Sequence, residues 1–333
     1  MRLGFVLLPI SLSVGLLRAQ EAPVNGALEG FTFDAPTRSI RPVIGSVGSA
    51  SLGQPLISSS FASVAPHQNY ALAFQGDHCI LVTGLGSGQI SMVEIPGSFP
   101  RPEGLSWSTD STTAVLYSRT GNTIQILSGI PAAVTVNPSI SVSALGGSLS
   151  SVATDVHGTR VVIGMLGDVS GVYQTSNGGP FSPLLPGIKP VSLAITDDGG
   201  TLYVLDGAAG QVVQQNLADL SSQSWPLNGV ADPVALLPGR DATGRAVVYV
   251  AGRSDQLLQV FDASTHGVAA SVPLSFSPHR LEPLGSNSFL FDSRLTGGDI
   301  LWSFTNASQP ALYFVPAVPV EIRRDRDVRR NPE

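Results

Sequence analysis

The chain has 333 residues with a formal net charge of −6, and only 13% of them are charged, against about 25% in ordinary soluble domains. Five of the 18 basic residues fall in the last dozen positions, so the body of the chain has no basic excess, which argues against a nucleic-acid partner. Gly (36) and Pro (25) are plentiful, as a fold of frequent tight turns requires. The single cysteine, Cys79, excludes an intrachain disulfide.

Arg2, the uncharged apolar stretch Leu3–Leu17 and the small residue Ala19 read as an export signal at 1–19, cleaved after Ala19. The stretch is shorter than the roughly 20 residues a membrane-spanning helix needs, and an uncleaved anchor is the rival reading. An exported chain without disulfides points to a bacterial periplasm or exterior. Residues 20–30 read as a linker. Residues 31–45 read as half of the unit that recurs downstream, because Phe33-Asp34-Ala35-Pro36-Thr37 echoes Phe261-Asp262-Ala263-Ser264-Thr265.

Six full units follow. Their turn positions, His67, Asp110, His157, Asp198, Thr243 and Ser286, are spaced 43, 47, 41, 45 and 43 residues apart. The first unit reads as strands Phe61–Val64, Tyr70–Phe74, Ile80–Thr83 and Gln89–Ile95. The second has a loose outer strand over Ala133–Val142, and the fourth a weak one around Trp225. Runs such as Val161-Val162-Ile163 and Val247-Val248-Tyr249-Val250 are apolar on both faces, as expected of strands covered on both sides. Four short strands per unit at this period predict an all-β fold, a β-propeller of four-stranded antiparallel blades over residues 31–316. Six units and a half predict seven blades, with six blades plus an N-terminal hairpin as the alternative. The half unit is expected to give the outer two strands of a blade begun at the other chain end. The charged tail, 317–333, has too few apolar residues to fold alone.

Asp77-His78-Cys79 offers three reactive groups in a row, but strand alternation sends neighbours to opposite faces, so convergence on a metal or a nucleophile–base pair is not expected. His67 and His157 stand where sister units carry Asp, and exposed turn tips are expected. Gly84-Leu85-Gly86-Ser87-Gly88 leads into an alternating segment rather than a helix, so it reads as a hairpin loop and not a phosphate cradle. No cofactor is expected. The loops before the innermost strands are the better candidates: Arg101-Pro102-Glu103, Lys189-Pro190, Asp232-Pro233 and Ser277-Pro278-His279-Arg280. Arg101, Glu103, Lys189, Asp232, His279 and Arg280 are therefore expected around the mouth of the central channel, with Arg119, Asp206, Arg253 and Asp292 on the same face, suiting a small anionic or sugar-like ligand.

Thr196-Asp197-Asp198-Gly199-Gly200-Thr201-Leu202-Tyr203-Val204 resembles the YVTN-type β-propeller repeat, and Tyr249-Val250 with Phe261-Asp262 repeats the pattern. The likeness runs from residue 31 to about 316 and departs at Ser286-Asn287 and at the stretched Gly239-Arg240-Asp241-Ala242. It implies the fold and leaves function open, because propellers serve as lactonases, quinoproteins, surface-layer proteins and binding scaffolds. The expected function is an exported, monomeric scaffold that binds a small molecule or a protein at the channel mouth, and not an enzyme. The alternatives are a lactonase-like metal-dependent hydrolase, for which Glu103, Asp232 and His279 are the available set, and a cell-envelope structural protein.

Overall fold

The computed structural model describes residues 27–46, 48–285, 288–292, 301–305 and 310–317. They form seven antiparallel sheets in chain order, the blades of a ring. Blade one holds Leu28–Asp34, Ser39–Ile44, Ser51–Leu52 and Ile57–Ser58; blade two starts with Phe61–Val64, blade three with Gly104–Trp107 and blade four with Ser148–Thr154. Blades five, six and seven start with Pro190–Ile195, Pro233–Arg240 and Arg280–Gly285. The outer strand of blade three is broken into Thr135–Val136 and Ile140–Ser141, the loose segment expected there. The weak fourth strand around Trp225 forms as Ser222–Pro226. Among the described residues the one helix is a 3-10 turn at Ser143–Leu145, and none is long and apolar enough to cross a membrane.

The core lies between blades rather than within them. Seven clusters of buried side chains correspond to the seven interfaces around the ring. One joins Leu72 and Phe74 of blade two to Leu105 and Leu116 of blade three; another joins Val162 of blade four to Leu202 and Val204 of blade five. A sheet of this kind has two apolar faces and no means of covering either alone, so burial comes from its neighbours. That is why the second strands Val161–Ile163 and Val247–Val250 carry apolar residues at consecutive positions, all buried.

Ring closure differs from the expectation. The N-terminal hairpin does not supply outer strands to the last blade. Leu28–Asp34 is the innermost strand of its own blade and packs against the innermost strands of blades two and seven. It begins inside the stretch read as linker. Blade seven is complete without it, through Leu301–Thr305 and Ala311–Val315. The echo that suggested outer strands is a turn device and not a position in the blade: Asp262 caps the turn between third and fourth strands, and Asp34 the turn between first and second. Any tight hairpin can use an Asp whose carboxylate accepts from the turn. The ends instead meet through Leu52 N–H, which donates to Pro316 O at 2.8 Å, a parallel bridge from Leu52 to Ala317, and a cluster of Val43 and Leu52 with Leu284, Leu301 and Val315.

In the fifth unit Asp241, not Thr243, carries the turn, accepting from the Thr243 and Arg245 N–H groups at 2.8 and 3.0 Å. Ser286-Asn287 lies outside the described residues.

Candidate functional site at the channel mouth

In an antiparallel blade the turns after strands one and three lie at one end. The turn after strand two and the link to the next blade lie at the other. The second end is where the channel mouth is expected, and it carries all six candidate residues. Four of the six side chains are held locally. Arg101, at φ +51°, places Nε 2.7 Å from Asp77 Oδ1 of the blade-two turn, both side chains exposed. Glu103 accepts from Thr120 N–H at 3.0 Å and Ser118 Oγ at 3.1 Å. These bonds, the Thr120 group foremost, hold its carboxyl below the ordinary carboxylate range. Buried Asp206 accepts from the N–H groups of Lys189, Ala208 and Ala209 at 3.3, 3.1 and 3.3 Å, tying the link before blade five to that blade's second turn. Asp232, at φ +49°, lies 3.6 Å from Arg253 Nη1, and Asp255 accepts from Ala231 N–H at 3.1 Å. Arg280 pairs with Glu282 at 2.6 Å on its own strand. Arg119 sits 5.7 Å from the centre of the Tyr117 ring.

The structure therefore ties Arg101, Glu103, Asp232 and the Lys189 backbone to neighbouring turns, and Arg280 to its own strand, rather than to one another. No hydrogen bond or ion pair joins any two of Arg101, Glu103, Lys189, Asp232 and His279. Among the described residues no group of three or more His, Cys, Asp or Glu side chains could hold a metal ion, so Glu103, Asp232 and His279 do not form the set that the hydrolase alternative requires. The exposed side chains of Lys189 and His279 have no hydrogen bond or ion pair among the described residues. The Asp292 side chain is not among those described.

Asp77-His78-Cys79 is split as alternation predicts. Exposed His78 pairs with Glu94 at 2.7 Å, which raises its imidazole pKa, whereas Cys79 is buried and its thiol is pushed up to about 12. Gly84 to Gly88 forms the hairpin turn before Ser91–Glu94. His67 is exposed at φ +58°. His157 is exposed too, but its Nδ1 lies 3.3 Å from Asp110 Oδ2, linking turns of adjacent blades. That link could have been anticipated from the turn alignment, which sets Asp and His at equivalent places one blade apart.

The architecture is that of a seven-bladed β-propeller. Among solved structures the chain is similar to a candidate 6-phosphogluconolactonase from Bacteroides fragilis, with a TM-score of 0.60 at 13% identity over 86% of this chain and 92% of that one. It is also similar to a functionally unknown protein from Desulfotomaculum acetoxidans, at 0.59 and 11% over 88% and 100%. A third is the dihydro-heme d1 dehydrogenase NirN, at 0.58 and 13%, of which this chain spans 66% while 91% of itself is covered. No family model and no curated relative matches the sequence. At such identities these likenesses carry the fold alone.

Proposed function

We propose that this chain is an exported β-propeller of the YVTN type that serves as a binding scaffold, meeting a small anionic ligand at the channel mouth. The supporting observation is the division of labour among the mouth residues. Glu103, Asp206, Asp232 and Asp255 are engaged by neighbouring turns, so the loops are preorganised. Lys189 and His279 are left to meet a ligand. A hydrolase would need acid, base or metal ligands within reach of one reacting atom, and the mouth carboxylates are instead committed to separate turns. The charge-poor stretch Leu3–Leu17 supports export.

Titration calorimetry of the purified mature chain with gluconate and with inorganic phosphate tests this reading. Saturable binding is expected, weakened about tenfold by Lys189→Ala, which corresponds to roughly 1.4 kcal/mol. δ-Lactone hydrolysis in the presence of Ca²⁺, Mg²⁺ or Zn²⁺ is expected to stay at the buffer rate, and the exported chain to begin at Gln20. Metal-dependent turnover, or no binding of either anion, would overturn it.

A further inference from the structure

Among the described residues, blade one is a strand short at its outer edge. The other six sheets have four ranks of strands. In blade one Ser51–Leu52 and Ile57–Ser58 both pair with Ser39–Ile44 and so share the third rank. A sheet that stops there offers its outward N–H and C=O groups to a further strand. The last described residues already reach that edge. After Ala311–Val315 the chain does not pass to an innermost strand, as the other links between blades do, but crosses to blade one. There Leu52 N–H donates to Pro316 O at 2.8 Å, and Leu52 bridges Ala317 in parallel. Ala311–Val315 runs towards the mouth end, where the third rank of blade one begins. A chain continuing past Ala317 in that direction therefore follows the open edge from Leu52 towards Ser58.

We infer that this edge is a docking site for the chain's own residues 318–322, which lie outside the described ones. Added in parallel as the fourth rank of blade one, they latch the first blade to the last. The length fits. Leu52 pairs with Val43 and Ser58 with Ser39, so the open edge spans four steps of the ladder, about 13 Å at about 3.3 Å per residue. The sequence fits as well. Residues at one level of a sheet share a face, so Ala317, Pro319 and Glu321 fall on the side of Leu52, towards blade seven. Val318, Val320 and Ile322 then fall on the side of Ile57, towards blade two, where half-buried Leu56 and Ile90 pack against the cluster of Ile40 and Ile57. Three β-branched apolar residues at alternate positions suit a strand with one covered face. The next bond of a parallel ladder runs from Val318 N–H to Leu52 O. Pro319 comes level with the break in the third rank, where Gly53 O already accepts from Arg41, so its missing N–H forfeits no ladder bond. A segment with three apolar residues cannot fold alone, and here the edge supplies its partner.

The test is disulfide trapping in the full mature chain, followed by non-reducing peptide mapping. Ser58→Cys with Glu321→Cys sets two thiols on one face at one level, within the span a disulfide needs, and mild oxidation is expected to join them within a single chain. The native thiol, Cys79, is buried and does not compete. Ser58→Cys with Asp327→Cys is expected to link about tenfold more slowly, because residue 327 lies past the end of the edge. Removing residues 318–333 is expected to speed amide hydrogen exchange across residues 53–58 about tenfold, and Val320→Asp to do the same at full chain length. Equal linking rates for the two pairs would mean a loose tail passing near blade one, and would overturn the inference. So would a disulfide formed only between two chains, which would assign the edge to a second copy. Exchange across residues 53–58 unmoved by both tail variants would overturn it too. None of these readouts involves Lys189 or His279, so failure here leaves the mouth reading standing.

Discussion

Arg41 Nη1 lies 3.1 Å from Asp34 Oδ2 inside blade one, both side chains almost wholly withdrawn from solvent. The same guanidinium donates through Nε to Gly53 O at 2.6 Å and through Nη2 to Leu52 O at 3.3 Å. These carbonyls sit where the third strand breaks, between its paired segments Ser51–Leu52 and Ile57–Ser58. Pro42, on the strand alongside, has no N–H to offer them. The ion pair thus stands in for missing ladder bonds, and its removal leaves both a carboxylate and two carbonyls short of donors. Arg41→Ala is expected to destabilise the fold by about 3–5 kcal/mol, read as a fall in the urea midpoint. The double change Arg41→Met with Asp34→Leu is expected to recover part of that loss. An unchanged midpoint in Arg41→Ala would show the pair to be incidental.

Acid should loosen the turns before it reaches the core. Hydrogen bonds from Ser264 and Thr265, that of the Ser264 hydroxyl foremost, hold the Asp262 carboxyl down at about 2, below its ordinary 3.8. Asp198 is lowered by Thr196 and Gly200. At Asp110 burial works against the charge, but bonds from Ser108, Thr112 and His157 outweigh it. A carboxyl whose folded pKa is depressed contributes stability that is complete above its unfolded value and lost as pH falls through the folded one. Thermal stability should therefore hold down to about pH 4 and drop between about pH 4 and 2. Asp262→Asn should flatten that drop, and an unaltered acid profile in this variant would contradict the assignment.

Cys79 is 1% exposed and its thiol is pushed up to about 12, chiefly by burial. Only the thiolate reacts, so the native chain should resist iodoacetamide at mildly alkaline pH and be alkylated once unfolded in urea. Intact-mass measurement distinguishes the two states. Full alkylation of the native protein would place Cys79 somewhere other than the blade-two/blade-three core.

Glycines in the turns separate backbone strain from crowding. Gly158 has φ +69°, and a Cβ there would stand 2.2 Å from Thr113 Cγ2 of the neighbouring blade. Gly210 has a similar φ of +59° but open space around it. Gly210→Ala should cost only the conformational penalty, about 1 kcal/mol. Gly158→Ala adds the clash and should cost clearly more, about 3 kcal/mol. Equal shifts in melting temperature for the two would mean that the blade-three and blade-four turns are not interlocked.

The repeat was legible because each blade solves one problem in one way: a doubly buried second strand such as Val247–Val250 must be apolar throughout, and its flanking turns need Gly and Asp. Blade one was read only in part, because Arg41 interrupts the apolar pattern and its third strand is too short to show alternation. The mouth residues were found on the expected loops, since a residue before Pro at equivalent places is a local signal. Their partners were not foreseeable. Arg101 with Asp77, or Asp232 with Arg253, depends on which turn a loop reaches across the face, and spacing does not encode that.

Closure of the ring joins the first and last blades through contacts that no chain connection backs up, which makes it the place to test cooperativity. Leu52 is 3% exposed and packs with Leu284, Leu301 and Val315, while its N–H is the backbone link to Pro316. Leu52→Ala removes apolar contact without touching that hydrogen bond and should cost about 2–5 kcal/mol. If blades one and seven form the weakest seam, hydrogen exchange in the variant should rise first in Leu28–Ile44 and Leu301–Val315, with Arg160–Leu166 and Thr201–Asp206 protected for longer. Uniform loss of protection around the ring would instead mean that the propeller opens as one unit, with no seam set by its chain ends.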